Sequence, residues 1–213
     1  MKIYLIRHGR QSSRLCNVNV SLCEAGRRQS VLLGERLSAI GIEKLYSSDL
    51  LRARETAEIV NQFLQVEHII YPDLREISFG DMEGLSDEVI AEKYADFKKR
   101  QSQMTEDLPY PGGENAADVI KRALPVLSKI AGSGIERAAV VTHGGVIRSI
   151  TAGILNMDLA KARLIGGSLE NCSITELDYT PQKQYFTLER FNDYAHLEQE
   201  PELLRSHWVD QEN

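Results

Sequence analysis

The chain has 213 residues, 42% hydrophobic and 26% charged, with a formal net charge of −6 at pH 7. That length and balance describe one globular domain with a sizeable core, and they exclude a disordered, collagen-like or disulfide-stapled chain. The negative charge offers no bulk electrostatic reason to bind nucleic acid, and no stretch approaches the ~20 apolar residues of a membrane span.

Residues 2–8 form an apolar, β-branched run closed by Gly9, the pattern of a buried strand. Its apolar part, 3–6, is stopped by Arg7 and is too short for a signal peptide. Ser21 with Glu24 three positions later reads as a capping box. The helix it starts carries Leu33, Leu37 and Ile40 and closes at Gly41. Residues 45–47 form a second strand, after which Ser48 is placed to cap a helix with Leu50, Ala53, Ala57, Val60 and Leu64 on one face. Residues 66–71 read as a third strand. A polar, glycine-punctuated stretch over 74–84 precedes a helix with Val89, Ile90, Tyr94 and Phe97. Beyond the loop at 109–113, Val119, Ile120, Ala123, Leu127 and Ile130 mark a helix that Pro125 is expected to kink or break. Residues 138–142 form a strand running into His143-Gly144-Gly145 and a helix to Leu155. Strands near 172–177 and 185–190 complete the sheet.

The C-terminal stretch 189–213 holds seven acids and two bases, so most of the negative balance lies there. This predicts one domain over 1–213 with an acidic extension from about 191 to 213, lying away from any anion site. Alternating strands and helices predict a three-layer α/β/α fold around a mostly parallel sheet. Three cysteines, Cys16, Cys23 and Cys172, are an odd number that fits reduced thiols in the cytoplasm. A zinc site on Cys16 and Cys23 would need closer pairing.

In such sheets ligands bind at the carboxyl ends of the strands. Two histidines stand there, in Arg7-His8-Gly9 and in Thr142-His143-Gly144-Gly145. Glycine permits close backbone approach, the following helix offers its N-terminus, and Arg7 adds fixed charge. One such histidine alone is more often structural, but two with these flanks describe an anion pocket, with phosphate as the commonest occupant.

These residues resemble the histidine phosphatase superfamily, in its phosphoglycerate mutase-like branch. The likeness runs over nearly the whole chain in six segments. They are Leu5-Ile6-Arg7-His8-Gly9, Leu22 to Gly26 with Gln29, Ser48 to Ala57 with Arg52, Leu74 to Gly84 with Glu76, Pro111-Gly112-Gly113-Glu114, and Val140 to Arg148. The resemblance implies His8 as nucleophile through a phosphohistidine, Arg7, Arg52, His143 and Gly144 around the phosphoryl group, and Glu76 in proton transfer. Asp81, Glu83 and Glu114 compete with Glu76 for that role. Arg148 is placed to pair with an acid, His68 and His207 read as surface residues, and His196 as structural. No cofactor or metal is implied.

Departures from the family pattern fall on the rim. Arg10 and Gln11 stand where relatives carry Glu or Gln and then Thr or Ser. Arg14 occupies the usual asparagine position, with Asn17 the nearest asparagine. Arg10 and Arg14 either select an anionic substrate or are solvated loop charges. The short, mixed-charge stretch 92–109 lacks the Arg-rich insertion of glycolytic mutases, which favours a phosphatase acting on a small phosphorylated metabolite. A mutase, a non-catalytic phospho-ligand module and a metal-dependent hydrolase are the alternatives. Neither nucleic acid nor membrane is expected as partner, and a homodimer stays open.

Overall fold

In the computed structural model, which describes residues 1–207, strand β1 (Lys2–Arg7) runs through the middle of the sheet. Its side chains alternate between two cores, as a strand with both faces covered requires: Ile3 and Leu5 point one way, Tyr4 and Ile6 the other. The remaining strands are β2 (Lys44–Ser47), β3 (Glu67–Ile70), β4 (Arg137–Thr142), β5 (Ile174–Thr180) and β6 (Tyr185–Asp193). Their order is β3-β2-β4-β1-β5-β6. The first four are mutually parallel, and β5 and β6 add an antiparallel flank.

Helices α1 (Glu24–Ser38) and α2 (Leu51–Leu64) cover one face, where Leu33, Leu37, Ala57 and Val60 meet Tyr4, Ile6 and Leu45. Two short helices, α3 (Asp87–Lys93) and α4 (Ala95–Ser102), precede α5 (Ala116–Ala131) and α6 (Gly144–Ile154). The last two cover the opposite face with Val119, Leu127, Ile147 and Ile150. Shortening a fully buried member such as Leu33 or Leu45 to alanine is expected to cost about 2–5 kcal/mol.

Several local expectations are corrected. Helix α1 starts at Glu24 behind Cys23 with no side-chain cap, so Ser21 is not its N-cap. Leu22 is instead held extended, bridged to Gln11 and donating its amide to Glu55 at 2.7 Å. Helix α2 starts behind Leu50, and the Ser48 hydroxyl is drawn to another partner described below. Helix α1 ends at Ala39, leaving Gly41 in the following turn. The helix expected over Val89 to Phe97 divides at Tyr94 into α3 and α4. Pro125 leaves α5 unbroken because it and Lys121 lie on the exposed face, where water can serve the carbonyl that loses its intrahelical donor.

The C-terminal stretch does not stand apart. Leu197 and Leu203 are buried, Glu200 and Glu202 pair with Arg28, and Gln29 donates to the Leu203 carbonyl at 2.8 Å. Residues 195–203 are thereby laced onto α1. Trp208 and the rest of the expected extension, 208–213, lie outside the described residues.

Candidate active site

Strands β1 and β4 are parallel neighbours with Arg7 opposite Thr142, so the next residue of each, His8 and His143, leaves the sheet at the same edge. The His8 amide donates to the Thr142 carbonyl at 3.0 Å, and the two imidazoles stand 5.0 Å apart between centroids. Strand β2 pairs with β4 on the other side, with Ser47 opposite Val141, which carries Ser48 to the same edge. There its hydroxyl lies 2.7 Å from His143 Nε2.

His8 is 4% and His143 0% exposed. His8 Nδ1 lies 2.7 Å from the Gly9 carbonyl. A carbonyl only accepts, so this contact places the proton on Nδ1 and the lone pair on Nε2. Arg52 Nε donates to that Nε2 at 3.3 Å. Burial first, then Arg52 and Arg7, hold His8 well below the ordinary imidazole pKa, and burial with Arg52 and His8 does the same to His143. Both rings are therefore neutral at neutral pH. The His8 backbone is anchored too: Asn171 Nδ2 donates to its carbonyl at 2.7 Å, and the Gly9 amide donates to Thr56 Oγ1 at 2.9 Å. A Cβ on Gly9 would sit 2.6 Å from the Gly26 carbonyl, so the glycine lets this turn press against α1.

Two arginines flank the ring. Arg52, only 2% exposed, is clamped by the Val18 carbonyl at 3.0 Å and by Asn17 Oδ1 at 2.7 Å. Arg7 donates through Nη1 to the Leu169 carbonyl, while its Nε is buried without a hydrogen-bond partner among the described residues, as is His143 Nδ1. Burial, then Arg205, pull the Arg7 pKa down to about 9, so it remains a cation at neutral pH. Buried donors are seldom left unpaired, and an anion is the natural partner for the Arg7 Nε–H.

Glu76 sits at the N-terminus of α6, where Oε1 accepts from the Gly145 amide at 3.0 Å and from the Ile77 amide at 2.8 Å. The Gly145 amide at the start of α6 thus faces this carboxylate, while Gly144, the glycine expected beside the phosphoryl group, lines the cavity. A Cβ on Gly145 would fall 2.5 Å from Glu76 Oε1, so the glycine makes the seat. Arg7, Glu76, Gly144 and Gly145 open onto a cavity of about 420 Å³; His8, Arg52 and His143 do not line it.

Of the four rim candidates, Asn17 alone reaches the site, and it does so as the clamp on Arg52. Arg10 offers its backbone amide to Gln29 Oε1 at 2.9 Å, Gln11 donates to the Ser13 carbonyl at 2.8 Å, and Arg14 is exposed; none of the three lines the cavity. Glu83 holds Asn17 and the Phe79 amide, and Glu114 pairs with Arg122, so both are committed to structure. Arg148 bonds the Ile165 and Gly166 carbonyls and not an acid. His68 is half-buried against the Ser47 hydroxyl, while His207 is exposed. His196 packs against Arg36. Ser48 and Asn171 carried no sequence signal for the contacts they make. Nor did Tyr110, Arg163 and Arg205, which line the cavity. Among the described residues no three His, Cys, Asp or Glu side chains are grouped as a metal ion would need, and no helix is long and apolar enough to cross a membrane.

The profile of the histidine phosphatase superfamily (branch 1) matches residues 3–194. A protein of Cronobacter sakazakii named "Probable phosphoglycerate mutase" is 29% identical over 210 residues, covering 93% of this chain and 95% of its own. A mycobacterial glucosyl-3-phosphoglycerate phosphatase superposes with a TM-score of 0.81 at 25% identity, covering 90% of this chain and 98% of that one. The alpha-ribazole phosphatase of Shigella flexneri shares the fold, with a TM-score of 0.77 at 20% identity over 91% of this chain and 97% of its own. Strand-end histidines, flanking arginines and a match spanning the domain lead to one conclusion: the chain is an enzyme of the histidine phosphatase superfamily, branch 1.

Proposed function

We propose that this chain hydrolyses phosphomonoesters of small metabolites through a phosphohistidine on His8. The observation that carries the reading is the 2.7 Å contact of His8 Nδ1 with the Gly9 carbonyl, which leaves a neutral ring with its lone pair on Nε2. Nε2 attacks phosphorus, and the bond from phosphorus to the ester oxygen breaks in line. Arg7, Arg52 and His143 surround the phosphoryl oxygens and stabilise the charge that develops on them. Glu76 gives a proton to the leaving oxygen. Its carboxylate then takes one from the water that attacks the phosphohistidine, releasing inorganic phosphate and restoring His8.

Hydrolysis is favoured over isomerisation because water must reach the intermediate. The cavity beside Glu76 is rimmed by exposed residues such as Glu106 and Ser168 and so opens to solvent. The likeness in structure to a mycobacterial phosphatase adds to this, while the mutase name of the curated relatives keeps phosphoryl transfer as the second reading. The arginines and His143 supply the electrostatic stabilisation that a metal ion provides in other phosphoryl-transfer sites, and the compartment that fits three free cysteines is the cytoplasm. The test supplies 4-nitrophenyl phosphate and 3-phosphoglycerate and follows free phosphate alongside 2-phosphoglycerate. Phosphate released from both is the expected result, and isomerisation without hydrolysis overturns it.

A further inference from the structure

Glu76 stands on backbone that is neither helix nor strand: 75–79 lies between the 3-10 turns Pro72–Leu74 and Gly80–Met82. Such a segment has no ladder of its own, yet a reacting carboxylate must be held to within about 0.5 Å. Its carbonyls are gripped from outside. Arg122, on the second turn of α5, donates through Nη1 to the Asp73 carbonyl at 2.7 Å and the Arg75 carbonyl at 2.9 Å. Its Nη2 donates to the carbonyl of Glu76 itself at 3.1 Å. The remaining donors go to Glu114, Nε to Oε1 at 2.7 Å and Nη2 to Oε2 at 2.8 Å. All five guanidinium N–H groups are thereby engaged.

Glu114 closes the grip. Its Oε2 also accepts the Ser78 amide at 2.9 Å, and its own amide donates to the Ser78 carbonyl at 3.0 Å. The carbonyl that Arg122 passes over, Leu74, accepts from Thr142 Oγ1 at 2.8 Å, next to His143. The helix behind the guanidinium is fixed by Val119 and Ala123, both fully buried. Arg122 and Glu114 line a cavity of about 400 Å³ that Glu76 also lines, and neither lines the 420 Å³ cavity. Their effect on a substrate there passes through Glu76. A lysine in place of Arg122 would keep a cation beside Glu114, but a single ammonium cannot span the carbonyls that the planar fork reaches.

We infer that Arg122 is a positioning residue for Glu76. With Glu114 it fixes the backbone from which the carboxylate reaches the Gly145 amide, and so aims its proton at the leaving oxygen. The inference rests on the proton-transfer role proposed for Glu76. A misplaced general acid slows a reaction according to the leaving group's need for a proton: a weakly basic phenolate departs unaided, a strongly basic one does not.

The test compares phenyl phosphate with 2,4-dinitrophenyl phosphate, which differ in the basicity of the leaving oxygen, by kcat/KM. Arg122→Lys is expected to lower the value for phenyl phosphate on the order of 10²-fold and that for the dinitrophenyl ester less than about fivefold. An equal loss on both esters is the mark of general structural damage and overturns the assignment, as does no loss on either. Should thermal unfolding show that Arg122→Lys does not fold, Glu114→Gln carries the same comparison. Deuterium exchange at the Gly145 amide, which donates to both Glu76 oxygens at 3.0 and 3.3 Å, reads the seat without turnover. The Ile147 amide, bonded to the His143 carbonyl at 3.0 Å, is the control. If the native protein releases no phosphate from either ester, the phosphatase reading falls and the exchange decides separately. Acceleration of at least tenfold at Gly145 in Arg122→Lys, with Ile147 unchanged, upholds the positioning of Glu76; unchanged exchange, or acceleration of both amides alike, overturns it.

Discussion

Arg7 stands between two walls that are built differently. On one side His8 and His143 at the ends of adjacent strands and Arg52 on α2 are 4%, 0% and 2% exposed, each held by backbone, hydroxyl or amide partners. On the other, Arg148 and Arg205 are half-buried and Arg163 exposed, brought together from segments far apart in the chain. The first wall is dry, and there small displacements are costly and charge interactions strong. The second is wet, and there a guanidinium can follow a ligand. Chemistry on the first wall and recognition on the second is the division this arrangement suits.

Three substitutions or titrations would break or sharpen that division. The largest effect is expected from His8→Ala, which should lower turnover of 4-nitrophenyl phosphate on the order of 10³-fold or more while phosphate still binds. Unchanged turnover would remove the dry wall from the chemistry. Gly145→Ala comes next, because its Cβ would stand 2.5 Å from Glu76 Oε1 and 2.6 Å from Ile77 Cγ2. Displacing that carboxylate should lower kcat on the order of 10²-fold with the thermal midpoint little changed, since misplacement of a reacting group has that scale. Full activity in this variant would take Glu76 out of proton transfer.

The smallest effect concerns stability against pH. His8, His143 and His196 are all held below the ordinary imidazole pKa, by burial first and then by neighbouring arginines, His196 to about 4. The unfolded chain takes up protons below about pH 6.5 that the folded one refuses, so stability should fall as pH is lowered through that value. Replacing His196 with glutamine should reduce the slope of stability against pH by up to one proton between about 4 and 6.5. Denaturant midpoints across pH measure this, and an unaltered slope would mean that His196 is protonated in the folded state. Asp193, held down to about 2 by Arg36, adds a further loss that begins only below its ordinary value near 3.8.

His8 and His143 were legible because an apolar run, a histidine and a glycine are adjacent in sequence, and a strand end is a local feature. Arg52 was not legible by itself, since an arginine on a helix is ordinarily solvated, and the surrounding family block singled it out. Ser48 was misread for a related reason. Its position before a helix fits a cap, but His143, 95 residues away, competes for the hydroxyl once β2 and β4 pair. Asn171 reaches the His8 carbonyl across 163 residues, with no local pattern to announce it. The charge-rich C-terminal stretch misled most. Its acids suggested an extension lying away from any anion site, whereas the burial of Leu197 and Leu203 draws its first part against α1 and Arg205 lines the cavity.

By itself, then, the amino-acid sequence determined the layers of the fold, the strand ends where the candidate site lies and the segments of the superfamily. Each of those follows from residues within a few positions of one another. Only the tertiary structure decided which nitrogen of His8 holds its proton, how Glu76 is seated on α6, and which arginines look into the cavity. Those outcomes depend on hydrogen bonds and burial between segments that meet only when the sheet assembles, where a single packed leucine can outweigh the charge pattern around it.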